Sequence, residues 1–176
     1  TYFGPTDERN HDYANSWNDT RGRLPCGHTI ILPAGREYKF ALNDGTAEVA
    51  ASLYQSVAPL AGHTNIAADV ARAIDAVVVS ATLNTTAAGT DIYAEGWVHP
   101  NEAAGEGYAY RTKRATSAGA AHASATSTGV LTVNLEAGEQ VQVALTTSSR
   151  LSFTRNRYHQ VLITAGIEMP KKWFYK

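Results

Sequence analysis

Residues 36–42 read Arg36-Glu37-Tyr38-Lys39-Phe40-Ala41-Leu42, which places Tyr38, Phe40 and Leu42 on one side of an extended chain and Glu37 and Lys39 on the other. Such alternation is what a half-buried strand requires, because successive side chains point to opposite faces of a sheet. Asn43-Asp44-Gly45 follows, three residues that tolerate positive φ, and residues 48–54 offer a second apolar run. A β-hairpin is the natural expectation.

The same period of two continues outward from this stretch. Further strands are expected at residues 77–83, 92–98, 107–112, 130–135, 140–145, 150–154 and 160–164. Residues 116–129 are rich in Ala, Ser, Thr and Gly and read as a mobile loop. One segment breaks the pattern: Ile66, Val70 and Ile74 recur at four-residue spacing behind Thr64 and Asn65, which predicts a single short helix. Many short strands joined by Gly-containing turns give an all-β expectation, a sandwich or barrel of about nine short, mainly antiparallel strands. No internal repeat stands out.

Residues 1–27 read as an extended, irregular N-terminal arm, residues 28–165 as the β-domain and residues 166–176 as a basic, aromatic C-terminal tail. The arm carries Tyr2, Phe3, Tyr13 and Trp17, although disordered segments are poor in aromatic residues. These rings are expected to dock, either on the arm's own domain or on another subunit. Trp173 and Phe174 give the tail the same character.

With 176 residues the chain fits one domain with appended arms rather than two full domains. Its 15 Lys and Arg against 16 Asp and Glu leave a net charge of -1, so the broad field that attracts nucleic acid or an anionic membrane is missing. No apolar run approaches a membrane span and no charged-then-apolar leader opens the sequence, so a soluble globular protein is expected. Because the first residue is Thr1, the numbering is read as starting after a removal or inside a longer terminus. The single Cys26 excludes an intramolecular disulfide and a multi-cysteine zinc site.

Candidate chemistry is sparse. The histidines at positions 11, 28, 63, 99, 122 and 159 form no HxxxH or HExxH pair, and no local metal motif or cofactor motif is expected. Cys26-Gly27-His28 puts a thiol and an imidazole on one side of an extended segment, but a dyad also needs an orienting partner and a pocket, so the residues read more simply as a small buried thiol beside a surface His. A nucleophile elbow and a P-loop are both missing, and Gly105-Glu106-Gly107 reads as a turn. Glu95, Glu102 and Glu106 flank Trp97, Tyr108 and Tyr110, a grouping compatible with a glycan hydrolase or a sugar-binding platform, and equally with a core or interface strand. Two local cation groups, Arg111, Lys113 and Arg114 and then Arg155 and Arg157, with Tyr110, Phe153 and Tyr158 nearby, suit stacking and phosphate contact, yet the near-zero net charge argues against nucleic acid.

Several ordered pieces, however, resemble a family of tailed-bacteriophage virion proteins described as capsid decoration or cement proteins. They include Tyr38-Lys39-Phe40-Ala41-Leu42-Asn43, Leu53-Tyr54-Gln55, Gly62-His63-Thr64-Asn65 and Val77-Val78-Val79-Ser80-Ala81-Thr82-Leu83. The more specific pieces are Thr85-Thr86-Ala87-Ala88-Gly89-Thr90-Asp91-Ile92-Tyr93-Ala94-Glu95-Gly96 and Gly105-Glu106-Gly107-Tyr108-Ala109-Tyr110-Arg111, followed by residues 141–149 and Asn156-Arg157-Tyr158. The resemblance spans residues 34–165; the aromatic arm and the tail fall outside it. It implies a non-enzymatic, homo-oligomeric protein on the capsid exterior whose partner is the major capsid protein, needing no cofactor. Tyr2, Phe3, Tyr13, Trp17, Trp173 and Phe174 would then be interface anchors, since buried aromatics dominate binding energy. The alternative within the virion is a tail, fibre or baseplate domain holding host-surface glycan on Trp97, Tyr108 and Glu106.

Overall fold

Residues 54–82 and 130–163 run antiparallel to each other along almost their whole length, as one ribbon bent repeatedly on itself. In the computed structural model, which describes residues 25–31, 37–42, 54–115 and 118–163, this ribbon begins where β3 (Tyr54–Gln55) pairs with β10 (Leu162–Ile163). It continues as β4 (Ile66–Ala67) against β9 (Arg150–Thr154) and through a bridge between Arg72 and Leu145. It ends where β5 (Val78–Thr82) pairs with β8 (Val130–Asn134). The register slips once, at the turn closed by the Glu139 N–H on the Glu136 carbonyl, where the second limb carries extra residues.

That limb turns at regular intervals. Backbone bonds from Gly129 to Thr126, Glu139 to Glu136, Ser149 to Thr146 and His159 to Asn156 close tight turns spaced ten residues apart. Between them the side chains alternate as the sequence predicts. Leu131, Val133, Leu151 and Phe153 are buried, whereas Val130, Thr132, Arg150 and Thr154 face outward.

Residues 83–129 leave the ribbon and return to widen it. β6 (Trp97–Glu102) pairs with β9, with an irregularity between Pro100 and Glu102, and β7 (Tyr110–Arg111) pairs with β6, giving a sheet in the order β4-β9-β6-β7. A separate hairpin, β1 (Thr29–Ile31) with β2 (Glu37–Lys39), is tied to the corner after β9 by the Leu42 N–H on the Tyr158 carbonyl and the Val161 N–H on the Leu42 carbonyl, at 2.9 and 2.8 Å. The core packs Ile66, Val79, Leu83, Tyr93, Val98, Tyr110, Leu131 and Phe153 between these strands.

The all-β expectation holds for the described residues, which form antiparallel sheets without a helix. Several details differ from the sequence reading. The segment expected as a helix is extended, because its N–H groups are taken sideways: Ala68 bonds the Ser149 carbonyl, Asp69 that of Ser80 and Arg72 that of Leu145. Accordingly only Ile66 of its apolar triplet is buried, while Val70 and Ile74 are exposed. Among the described residues β2 pairs with β1 and Tyr54–Gln55 with β10; the turn and most of the second strand of the expected hairpin, residues 43–53, lie outside the described residues.

Residues 92–95 are turn rather than strand, with Asp91 and Glu95 at φ of 55° and 56° in the left-handed region. Strand begins only at Trp97. The expected strand at 107–112 shrinks to β7, and 140–145 contributes a bridge at Leu145 rather than a named strand. The small-residue stretch expected as a mobile loop is packed where it is described: Ala121, His122 and Ala125 are buried, and Ala125 bridges to Ala88.

Residues 91–96 are all buried. Gly96 fits there because a Cβ would lie 2.2 Å from the backbone oxygen of Thr154 and 3.0 Å from that of Tyr93, atoms held in place by the β6–β9 pairing. We therefore expect Gly96→Ala to lower unfolding free energy by about 3 kcal/mol, the upper range for overpacking. Gly107→Ala, where a Cβ meets nothing within 4 Å, should cost less, limited to the strain of φ +88°. Urea denaturation of the two variants makes the comparison.

Candidate functional site

The corner that follows β9 forms one wall of an open groove of about 1590 Å³. Thr154, Arg155, Asn156, Arg157 and Tyr158 line this wall; Cys26 and Gly27, Lys39 and Ala41, and β3 with Ser56 supply the rest, with Trp97 at the start of β6 and Val161 completing it. Three rings, Trp97, Tyr54 and Tyr158, therefore share a surface with three cations, Lys39, Arg155 and Arg157. Among the described lining residues there is no carboxylate. A smaller hollow of about 280 Å³ shares Ser56 and residues 154–157 with it and adds Thr64, Pro59 and Phe153.

Asn156 braces the groove. Its amide donates to the Glu95 carbonyl at 3.1 Å and to the Cys26 carbonyl at 3.4 Å, and its Oδ1 accepts the Tyr158 N–H at 2.9 Å. Glu95, whose side chain is fully buried, accepts the Cys26 N–H on Oε2 at 2.5 Å and faces Arg114 Nε across 3.3 Å on Oε1. Its charge is thus compensated beneath the floor, leaving the groove's own cations unopposed from that side. Gly27, at φ +84°, lies flat against the Tyr158 ring, where a Cβ would come within 2.8 Å of a ring carbon.

The cations differ in character. Burial lowers the Arg155 pKa, an effect opposed by Tyr93, and its guanidinium donates to Gln160 Oε1. Arg157 is exposed and stands 6.0 Å over the Tyr158 ring, a cation–π distance. Lys39 is exposed and pairs with Glu37 at 3.1 Å, a surface ion pair of small energetic weight. Rings beside cations are groups that can stack with aromatic and pair with acidic ligands.

The sequence-level candidates separate in space. Trp97 lines the groove and is 41% exposed. Tyr108 does not line it: the ring stacks on Tyr110 at 6.3 Å, and Tyr110 opposes Val98 on the buried face of β6, whereas Trp97 opposes Arg111 on the other. Glu106 is exposed on the turn between β6 and β7. Glu102 ends β6 and Glu95 lies in the turn before its start, so the length of β6, about 17 Å at strand rise, separates them, beyond the ~5–10 Å that paired glycosidase carboxylates require. Glu102 instead accepts from the Asn65 amide at 3.0 Å. Tyr2, Phe3, Tyr13, Trp17, Trp173 and Phe174 lie outside the described residues. Sequence reasoning grouped Arg155, Arg157 and Tyr158 but missed Lys39 and Tyr54, which come from distant positions, and Asn156, whose local signal was the run Asn156-Arg157-Tyr158.

The second cluster of titratable groups is internal. Tyr93 is buried between His63, whose Nδ1 lies 2.5 Å from the Tyr93 hydroxyl, and His122, whose Nε2 accepts the Tyr93 N–H at 3.1 Å. Thr112 donates its hydroxyl to the Tyr93 carbonyl. His122 Nδ1 donates to the Ala123 carbonyl at 2.8 Å, so this imidazole is the Nδ1–H tautomer with a lone pair committed to the backbone. Asp91 collects the N–H groups of Gly119, Ala121 and His122 at 2.6, 2.9 and 3.1 Å. This cluster is a packing device, closed to solvent. Among the described residues, no three His, Cys, Asp or Glu are placed to hold a metal ion, and no helix is long and apolar enough to cross a membrane.

Comparison with protein-family models, with curated proteins and with solved structures finds no match.

Burial is the largest effect on His122 and lowers its pKa below 6.5. The unfolded chain then binds a proton more readily than the folded one, so stability is full above the unfolded value and falls as pH drops from there towards the folded value. Urea midpoints between pH 7.5 and 5 should decline in that window, and His122→Gln should flatten the decline while lowering stability at neutral pH by about 1–3 kcal/mol.

Proposed function

We propose that this chain is a structural protein of a tailed-phage virion, a decoration or cement protein that sits on the capsid exterior, binds the major capsid protein and stabilises the shell by bridging neighbouring subunits. The observation that carries the reading is the bent antiparallel ribbon. A long two-stranded ribbon that runs through three successive sheets is compatible with the path of a double-sheet jelly roll, and we propose a sandwich of that kind, an architecture recurrent in viral capsid and lectin domains. This is an argument by fold analogy, and the sequence pieces that resemble the decoration family add to it.

The chemistry of the molecule is consistent with work done by buried area. Asp91, Tyr93, Glu95 and His122 are committed to internal bonds. Its exposed features are contact features: an apolar series at Val70, Ile74 and Val77 beside β5, and the basic aromatic groove. A shell under pressure from packaged genome gains from added interfaces of roughly 1,200–2,000 Å² each, and several modest contacts made by one molecule release slowly. The molecule works as a homo-oligomer in this reading.

Quantifying the protein in purified particles, and imaging particles with and without it, tests the proposal. Copies on the scale of the capsid protein, located on the outer shell, with earlier heat-induced genome release in their absence, are the expected result. A few copies at the tail would overturn it in favour of a fibre or baseplate domain, in which exposed Trp97 would contact host-surface glycan and Tyr108 and Glu106 would contribute only from outside the groove.

A further inference from the structure

The groove has an unbalanced charge and the chain carries a segment that balances it. Within residues 7–19, Asp7, Glu8, Asp12 and Asp19 stand against Arg9 alone, and Tyr13 and Trp17 lie between the acidic positions. The groove offers the complement: Lys39, Arg155 and Arg157 as cations, Trp97, Tyr54 and Tyr158 as rings, and no described carboxylate in its lining. Among the described residues, Glu95 faces Arg114 beneath the floor and Glu37 pairs with Lys39 at the exposed edge.

The place where the arm joins the domain matters as much as its charge. Cys26 and Gly27 are themselves part of the groove wall, fixed by bonds to Glu95 and to the Phe40 carbonyl. Residues 1–24 precede that fixed point and, extended, reach up to roughly 80 Å at ~3.3 Å per residue. That is several domain radii, enough to reach a groove on an adjacent molecule.

We infer that residues 7–19 of one copy dock in the groove of a second copy, so that neighbouring molecules are linked by reciprocal arms. The inference deepens the bridging reading by naming one of the bridges. Its test is on the isolated protein, so arm exchange can fail while shell binding stands, and the reverse. Asp7, Asp12 and Asp19 meet Lys39 and Arg157, while Tyr13 and Trp17 pack on Trp97, Tyr54 and Tyr158. The contact is electrostatic at its rim and therefore weakens with salt.

A charge-swap experiment on the full chain decides it. The groove variant is Lys39→Glu with Arg157→Glu; the arm variant is Asp7→Lys, Asp12→Lys and Asp19→Lys. Sedimentation at low salt should show the wild type self-associating and dissociating as salt rises. Each variant alone should associate at least about tenfold more weakly, because like charges then meet. The equimolar mixture should associate again, since the basic arm of one now fits the acidic groove of the other. Circular dichroism melts confirm that each variant is folded; should the double groove variant unfold, Arg157→Gln alone, with a smaller loss, replaces it. A peptide of residues 5–20 added in excess to the wild type should dissociate the assembly. A wild type that stays monomeric while binding the peptide would mean that the arm docks on its own domain, and would overturn the exchange. Association that ignores the charge reversals, or variants whose mixture stays monomeric, would overturn it as well.

Discussion

Buried polar groups must find partners or the fold loses several kcal/mol, and the short turn at residues 91–96 is where this protein concentrates that demand. Asp91 pulls in the backbone of residues 119–122. Tyr93 engages His63, Thr112 and His122, and Glu95 engages Cys26, Arg114 and Asn156. Segments remote in sequence thus meet on six residues, and each of these bonds forms only when the two segments it joins are in place. Two residues at positive φ, Asp91 and Glu95, hold the turn in the shape that exposes its backbone groups to so many donors. The left-handed conformation costs energy for a residue with a side chain, and the bonds it permits offset that cost.

The groove inherits its rigidity from this turn. Asn156 and Cys26, which face each other across the corner, are both anchored on Glu95, one through its carbonyl and the other through its carboxylate. A binding surface assembled on a bonded frame loses little entropy when a partner arrives, which is the physical content of preorganisation. The carboxylate beneath is matched by Arg114. Among the described residues the buried charged groups Asp91 and Glu95 serve the fold, whereas Lys39 and Arg157 lie exposed along the groove.

The ribbon gives the molecule its breadth. Because residues 54–82 pair with 130–163 and the intervening stretch returns only through β6 and β7, each pairing closes a long loop, so the sheets form late relative to local turns. The ten-residue spacing of turns on the second limb relieves this: each turn is local and sets the length of the next strand. A scaffold with many corners presents several edges and faces at once.

The sequence was legible wherever one face of a strand is buried and the other wet. At residues 130–134 and 150–154 the alternation of Val, Leu and Phe with polar residues predicted the strands to within a residue or two, whereas residues 78–82 are buried on both faces. It misled where local pattern and tertiary pairing disagree. Ile66, Val70 and Ile74 have helical spacing, but neighbouring strands claim the N–H groups a helix would use. Ile92 and Tyr93 look like strand residues because they are apolar and bulky, yet they are buried by a turn enclosed on every side. Likewise Trp97, Arg157 and Tyr158 were visible as residues, but Lys39 and Tyr54 had no local reason to be grouped with them. Period and polarity, properties of adjacent residues, are therefore what the chain by itself determined. Which strand lies beside which, and so which rings and cations share a groove, was decided only by the fold, because those pairings are energies between residues separated by as much as the length of the domain.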